Sequence, residues 1–233
     1  QAFFSLSLGI GSMAIFGSYI GKDRRLMGES VSIALLDTFV AFVAGLIVIP
    51  SCFAYNVDSQ GGPGLIFKAL PNVFNSMAGG RIWGSLFFLF LIFAALSTVV
   101  AVFENIISFP MDKWGWSRKK ACVVNIFAMI ILSLPCALGF NVLSGIQPFG
   151  AGSTIQDLED FIISNNILPI GSLIYVLFAT FNKKGWGWDN FMSEVNTGKG
   201  IAFPGWLKVY VKYVLPLLLI IIWVQGYISK FFS

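Results

Sequence analysis

The chain has 233 residues, of which 57% belong to the apolar set AVILMFWYC and only 11% are charged, and its mean hydropathy is +0.82. Soluble domains carry roughly 25% charged residues, so this composition indicates an integral membrane protein that sits in a lipid bilayer. The sequence has no histidine, and its three cysteines are isolated within apolar segments, which excludes a zinc site, a haem site and a disulfide framework. The net charge of +4 does not indicate a nucleic-acid partner, because in a membrane protein the position of the charges matters more than their sum.

Six apolar segments are long enough to cross a bilayer, since one helical span needs about 20 apolar residues. A barrel is excluded because its strands are alternating segments of about 10 residues, and these segments are longer and continuous. We therefore predict an all-helical fold of about six spans that form a single membrane domain. The predicted spans are 1–20, 31–55, 83–110, 121–142, 157–181 and 207–229.

The basic residues predict how the chain is oriented. The connections after the first, third and fifth spans, together with the first turns of the sixth span, hold 12 of the 15 lysines and arginines. Because cytoplasmic loops are basic, these three loops are expected inside and the C-terminus outside. The long connection 56–82, which contains the turn signal Gly61-Gly62-Pro63-Gly64, is then extracellular. We expect a multi-pass protein of the cell inner (plasma) membrane.

The chain begins with Gln1 inside an apolar stretch, with no basic region before it and no small-residue cleavage site after it. This pattern does not fit a signal peptide. We expect further residues upstream of Gln1 in the complete protein.

The first span contains the pattern expected of a broken helix. Gly9 and Gly11 each cost about 1 kcal/mol relative to alanine inside a helix. Ser5 and Ser7 lie roughly 200° apart on a regular helix, so their hydroxyls serve one site only if the backbone leaves helical geometry between them. Discontinuous helices near the midplane are where secondary transporters bind substrates. The alternative is that these small residues simply let a neighbouring helix approach closely.

Asp37 is a carboxylate in the body of the second span, where its insertion costs roughly 2.5 to 3.5 kcal/mol. It requires a cationic partner or a cavity, so it is either an ion ligand or a paired structural carboxylate. Small and polar residues recur around it at helical spacing and form a stripe for close helix packing. They are Ala34, Asp37, Thr38, Ala41, Ala44 and Gly45.

The third span carries a second polar stripe. Hydroxyl and carbonyl oxygens suit a hard cation such as sodium, although Ser and Thr also serve as hydrogen bonds between membrane helices. The residues of this stripe are Ala94, Ser97, Thr98, Ala101, Glu104, Asn105 and Ser108.

Several separated motifs resemble one family. The opening QAFFSLSLGIG of residues 1–11 resembles the broken sixth helix of the neurotransmitter:sodium symporter family, in particular its bacterial, leucine-transporter-like members. GGPGL at 61–65 is similar to the outer loop of that family, and WGWSRKK at 114–120 is similar to the inner loop before its ninth helix. The resemblance covers essentially the whole chain, in the order of the sixth to eleventh helices.

This resemblance implies a leucine-transporter-type fold of two inverted five-helix repeats. The chain then supplies most of the second repeat, beginning within its broken first helix, and one further helix. It requires the N-terminal helices of the same protein to complete its sites. The implied function is sodium-coupled symport of a hydrophobic or neutral amino acid by alternating access, with Na+ as the coupling ion, no organic cofactor and no enzymatic chemistry.

The resemblance also implies roles for individual residues. Phe4 caps the substrate, Ser5 and Ser7 contact it through the opened backbone, and Ile10, Thr98 and Val102 shape its apolar pocket. One sodium site contains Ser5 and Asp37, and the other contains the Ala94 carbonyl with the Ser97 and Thr98 hydroxyls. Asp160, together with Phe4, belongs to the outer gate. Family members that need chloride have a neutral residue in place of Asp37 and Ser in place of Ala41, so the resemblance implies chloride-independent transport.

The sequence departs from the family pattern at two positions, and two alternative functions stay open. Ala41 replaces a carboxylate of the leucine transporter, and Ile10 stands where an aromatic residue is common, which leaves the substrate undefined. An ion channel would carry a filter loop or a pore ring of charges. A non-transporting membrane scaffold would have no need of Asp37. Sodium-dependent binding of substrate separates a symporter from both.

Overall fold

The computed structural model describes residues 2–54, 65–181 and 185–232, and all regular elements in these ranges are helices. The chain divides into two compact units, one formed by residues 1–31 with 102–233 and the other by residues 32–101. The all-helical fold predicted from hydropathy is therefore confirmed.

Within the described ranges, five helices are long and apolar enough to cross a membrane by length and composition. They are α3 (Leu26–Ala54), α5 (Gly80–Trp114), α6 (Arg118–Gly139), α7 with α8 (Ile155–Thr180) and α10 with α11 (Leu207–Phe231). In α3 and α5 none of the residues in the most apolar window is buried within the chain. Their apolar side chains are thus available to lipid and to other helices.

The predicted first span is broken, as the glycine pattern indicates. It consists of α1 (Ala2–Ser5) and α2 (Ser12–Tyr19), separated by residues 6–11, which we call the break. Residues 55–64 of the predicted outer loop, including its glycine turn, lie outside the described residues. The rest of that loop contains α4 (Leu70–Ser76), a short helix that the hydropathy pattern did not indicate.

Three π-helical segments interrupt the helices, and each lies directly before a Leu-Pro pair. The segments Leu65–Ala69, Ile163–Ile167 and Tyr210–Val214 precede Pro71, Pro169 and Pro216. A proline ring clashes with the carbonyl four residues earlier and has no N–H to donate. The wider π turn accommodates both consequences without ending the helix. The second and third segments separate α7 (Ile155–Ile162) from α8 (Leu168–Thr180) and α10 (Leu207–Val209) from α11 (Leu215–Phe231).

The core of the second unit lies where α4 packs against α5. Cys52, Leu70 and Val73 are buried there, and the ring centroids of Phe74 and Phe87 are 5.5 Å apart. A Cβ atom on Gly84 would lie 3.2 Å from the Phe74 ring, so glycine at this position allows the close approach of the phenylalanine.

In the first unit, α11 is connected to the π segment before α8 by a half-buried polar cluster. The Asn166 amide oxygen accepts a hydrogen bond from the Tyr227 hydroxyl at 2.6 Å and one from the Trp223 indole N–H at 3.3 Å. The Asn166 amide nitrogen donates to the Phe161 carbonyl at 3.2 Å. This side chain therefore connects the irregular backbone of one helix to two side chains of the next.

The three basic loops lie at one end of the first unit. The Arg25 guanidinium, after α2, donates to the carbonyls of Asn196 at 3.1 Å and Gly200 at 3.0 Å, which follow α9 (Trp188–Val195). Arg118, in the second basic loop, binds Glu104, which also accepts a hydrogen bond from Tyr19 at the end of α2. The first and third basic loops thus contact each other, and the side of the membrane on which the three loops lie stays a prediction.

Tyr227→Phe is expected to lower the free energy of unfolding of the complete protein by about 1 kcal/mol, because hydrogen bonds between membrane helices contribute about 0.6 and up to about 1.7 kcal/mol. Asn166→Ala should cost more, since it leaves two donors without their acceptor. The measurement is reversible unfolding in detergent or bicelles. Tyr213→Phe is the control, because Tyr213 is 59% exposed. Equal stability of the Tyr227 and Tyr213 variants would contradict the role assigned to Asn166.

Candidate functional site

The break between α1 and α2 has an irregular backbone. Ser7, Gly9 and Gly11 have positive φ angles of 50°, 87° and 92°. L-residues seldom adopt these angles, so Gly9 and Gly11 permit a path that other residues would strain. Helical hydrogen bonding stops here, and its backbone groups need other partners in a medium without water.

Asn105 on α5 provides one such partner. Its amide nitrogen donates to the Ile10 carbonyl at 2.5 Å. Asn105 belongs to the polar stripe recognised in the sequence, where it was grouped with possible sodium ligands. The structure instead uses this side chain to bind the opened backbone of the break.

On another side of the break, α8 lies so close that its backbone is in direct contact with the backbone of the break. A Cβ atom on Gly9 would overlap the carbonyl oxygen of Leu168 and would lie 2.9 Å from the Ser172 hydroxyl oxygen. That hydroxyl is buried and has no hydrogen-bond partner among the described residues. Beside this contact is a cavity of about 300 Å³. Ser7, Gly9, Ser172, Tyr175 and Leu219 are among the residues that line it.

Five of the six residues predicted to bind substrate lie on these elements of the first unit, and the sixth, Thr98, lies in the second. Ser5 ends α1 and is exposed, and Ser7 and Ile10 lie in the break itself. Val102 is on α5, one helical turn before Asn105. Phe4 belongs to α1, and its side chain lies outside the described part of the chain.

The second unit contains the remaining predicted ligands. The hydroxyls of Ser97 and Thr98 both donate to the Ala94 carbonyl, at 2.7 and 3.3 Å, so three oxygen atoms lie within one turn of α5. Asp37 is half-buried on α3, one turn before Ala41. Because Ser5 belongs to the first unit, its predicted pairing with Asp37 stays a prediction.

Asp160, the predicted acidic member of the outer gate, is exposed near the end of α7. Its carboxylate accepts a hydrogen bond from the Ser164 hydroxyl at 2.7 Å, within the π segment that follows. The carboxylate is therefore oriented by the irregular turn that leads to Pro169.

Glu104 is the centre of an ion-pair cluster that the sequence did not indicate. Its carboxylate accepts two hydrogen bonds from the Arg118 guanidinium, at 3.0 and 2.6 Å, and one from the Tyr19 hydroxyl at 2.8 Å. The two-pronged geometry is the strong form of an arginine–carboxylate pair. The cluster fastens the end of α2 to α5 and to the start of α6.

Sequence reasoning also missed the contribution of α8 to the break. Gly171 and Ser172 contact the break, yet they belong to no motif that we recognised. One signal was available, since a glycine in the interior of an apolar span is typical of close helix packing.

The comparisons with known proteins agree with this architecture. The sequence profile described as the sodium:neurotransmitter symporter family matches residues 1–231. An uncharacterised sodium-dependent transporter of Haemophilus influenzae is 31% identical over 227 residues, which cover 97% of this chain and 48% of the relative. The uncharacterised sodium-dependent transporter YhdH of Bacillus subtilis is 30% identical over 228 residues, or 97% of this chain and 49% of the relative.

Among solved structures, the crystal structure of MhsT in complex with L-phenylalanine matches with a TM-score of 0.83 and 37% sequence identity. The match covers 97% of this chain and 50% of MhsT. This likeness confirms the leucine-transporter-type fold. The chain spans about half the length of the curated relatives it matches. The profile match, the relatives and the shared fold show that this multi-pass membrane protein belongs to the sodium:neurotransmitter symporter family, which consists of transporters rather than enzymes.

Proposed function

We propose that the complete protein carries out sodium-coupled symport of a hydrophobic or neutral amino acid across the plasma membrane by alternating access, without a requirement for chloride. The observation that carries this proposal is the break at residues 6–11, which opens the backbone inside a predicted span of a member of this family. MhsT, which shares the fold, was solved in complex with L-phenylalanine, and this supports an amino acid as substrate.

The break suits a zwitterionic substrate. The freed carbonyls of an unwound segment accept hydrogen bonds from an amino group, and the N-terminus of a half-helix attracts a carboxylate. Here α2 begins at Ser12, directly after the break, and therefore supplies such an N-terminus. Ser5 at the end of α1 and Ser7 and Ile10 in the break would contact the amino acid. Phe4 would cap it, and Val102 and Thr98 would border its side chain.

The proposed second sodium site uses the three oxygen atoms of Ala94, Ser97 and Thr98. Both hydroxyl protons are directed at the Ala94 carbonyl. If the two hydroxyls rotate these protons away, all three oxygens present lone pairs to one ion. Neutral oxygen ligands are the type that hard cations prefer. The proposed first site contains Ser5 and Asp37, whose carboxylate brings a fixed negative charge.

Uptake into proteoliposomes tests the function itself. The complete protein should accumulate radiolabelled L-phenylalanine or another neutral amino acid when an inward sodium gradient is imposed, and it should not do so with potassium. A channel would instead conduct ions continuously, and a scaffold would neither bind nor accumulate substrate. Failure of sodium to stimulate the uptake of any neutral amino acid would overturn the proposal.

Ser97→Ala combined with Thr98→Val is expected to raise the sodium concentration needed for half-maximal uptake by about tenfold. Each substitution removes a hydroxyl ligand that an apolar neighbour cannot replace. The measurement is the sodium dependence of uptake by the complete protein.

Ser85→Ala is the matched control for this double variant. Ser85 lies on the same helix and its hydroxyl donates to the Arg81 carbonyl at 2.7 Å, so the control removes a similar local hydrogen bond. An unchanged sodium dependence in the folded double variant would remove these residues from the proposed site.

The second proposal to be tested is chloride independence. Two sodium ions in a medium of low dielectric constant need compensating negative charge, and the Asp37 carboxylate provides it without a bound anion. Uptake should therefore continue when gluconate replaces chloride. Asp37→Asn should abolish uptake, and Asp37→Asn with Ala41→Ser should restore uptake that depends on chloride.

Ala41→Ser alone is the control for the double variant, and it should keep the chloride-independent uptake of the wild type. A wild type that stops transporting in gluconate would refute the role given to Asp37. That result would leave the sodium dependence of uptake intact.

A further inference from the structure

We propose that Gly171 on α8 is a positioning residue that sets where the substrate-binding break lies, through its direct backbone contact with Gly9. This inference rests on the proposed function, because it assigns a role in substrate binding to a residue outside the predicted site. It concerns residues 6–11, α8 and Asn105 of α5, all within the first unit.

The contact between the two glycines leaves no room for a side chain on either. A Cβ atom on Gly171 would overlap the carbonyl oxygen of Gly9 and would lie 2.8 Å from its carbonyl carbon and 3.1 Å from its Cα. In the opposite direction, a Cβ atom on Gly9 would overlap the Leu168 carbonyl oxygen. The two backbones are therefore packed at their closest approach.

Glycine at position 171 is unfavourable for the helical conformation of α8. Gly171 is inside a helix, where alanine is the better helix former. A helix that served only as a membrane span would gain stability from Gly171→Ala. A loss of binding in that variant would consequently report the displacement of the break and not a weakened helix.

The break is also fixed on its α5 side. The Asn105 amide donates to the carbonyl of Ile10, the residue that follows Gly9. A methyl group on Gly171 would push Gly9 away from α8 while Asn105 holds the next residue. The displacement would thus pass to the other side of Gly9 and reach Ser7, a break residue that we propose contacts the substrate.

The surroundings allow the break to shift without disrupting the fold. The cavity of about 300 Å³ borders both Gly9 and Ser172, so the segment has adjacent space. We therefore expect Gly171→Ala to yield a folded protein with a displaced break.

The test compares Gly171→Ala with Gly17→Ala in the complete protein. Gly17 is a helical glycine of α2, and a Cβ atom placed on it would meet nothing within 4 Å. The Gly171 variant should remain folded at the assay temperature and bind L-phenylalanine about tenfold more weakly in sodium. The Gly17 variant should bind as the wild type does. Wild-type affinity in folded Gly171→Ala would overturn the inference.

A second readout is independent of substrate. Ser7→Cys is introduced after the three native cysteines have been replaced by alanine, and its rate of reaction with N-ethylmaleimide is measured without amino acid. Gly171→Ala should change this rate, and Gly17→Ala should not. An unchanged rate would overturn the inference even where binding is lost. If the wild type binds no amino acid, the proposed function fails, and the labelling rates still decide whether Gly171 positions the break.

If Gly171→Ala does not fold, Ser172→Thr is used for the same two measurements. It adds a methyl group beside Gly9, at the residue whose hydroxyl oxygen would lie 2.9 Å from a Gly9 Cβ atom. A changed labelling rate at Ser7→Cys supports the inference, and a folded variant with wild-type binding and labelling contradicts it.

Discussion

The constraint on which the rest of this structure depends is that backbone polar groups must find partners inside a hydrocarbon medium. A continuous helix meets the constraint by itself, but the break at residues 6–11 does not. Its solution comes from other elements: Asn105 binds the Ile10 carbonyl, and α8 covers Gly9 at backbone distance. The opened segment is therefore possible because α5 supplies the Asn105 side chain and α8 has a glycine where the two backbones meet.

Three of the four Leu-Pro pairs, those that end in Pro71, Pro169 and Pro216, show a milder form of the same constraint. Each proline removes one N–H donor from an apolar helix, and a π turn before it spreads the irregularity over five residues. Asn166 lies in one of these turns. Its amide nitrogen donates to a carbonyl of its own helix, and its amide oxygen accepts hydrogen bonds from two side chains of α11. The irregular turn thus becomes a point of attachment between two helices.

Hydropathy and glycine positions were sufficient to predict the helical class and the break, because both depend on local composition. The partners of polar side chains were not predictable in this way. Asn105 and Glu104 are neighbours in one polar stripe, yet Asn105 binds the break and Glu104 binds Arg118 and Tyr19. Helical periodicity predicts the helix face on which a residue lies. Its hydrogen-bond partner, however, lies about 14 to 95 positions away in the sequence. The role of Gly171 was not predictable for the same reason, since it depends on the contact of Gly171 with Gly9.

These contacts also indicate which part of the broken helix is held most firmly. Two consecutive residues of α5 secure α2 near both of its ends: Asn105 binds the Ile10 carbonyl just before it, and Glu104 binds the Tyr19 hydroxyl at its last residue. Arg118 extends this attachment to α6 through a paired hydrogen bond. A helix held at both ends moves as a unit with the helix that holds it. Any change in the angle between α1 and α2 must then be absorbed within the break, where Ser7, Gly9 and Gly11 already have left-handed backbone angles. Ser7 and Ile10, two of the residues proposed to bind substrate, thus lie at the hinge, so substrate that fixes their backbone also fixes the relative orientation of the two half-helices.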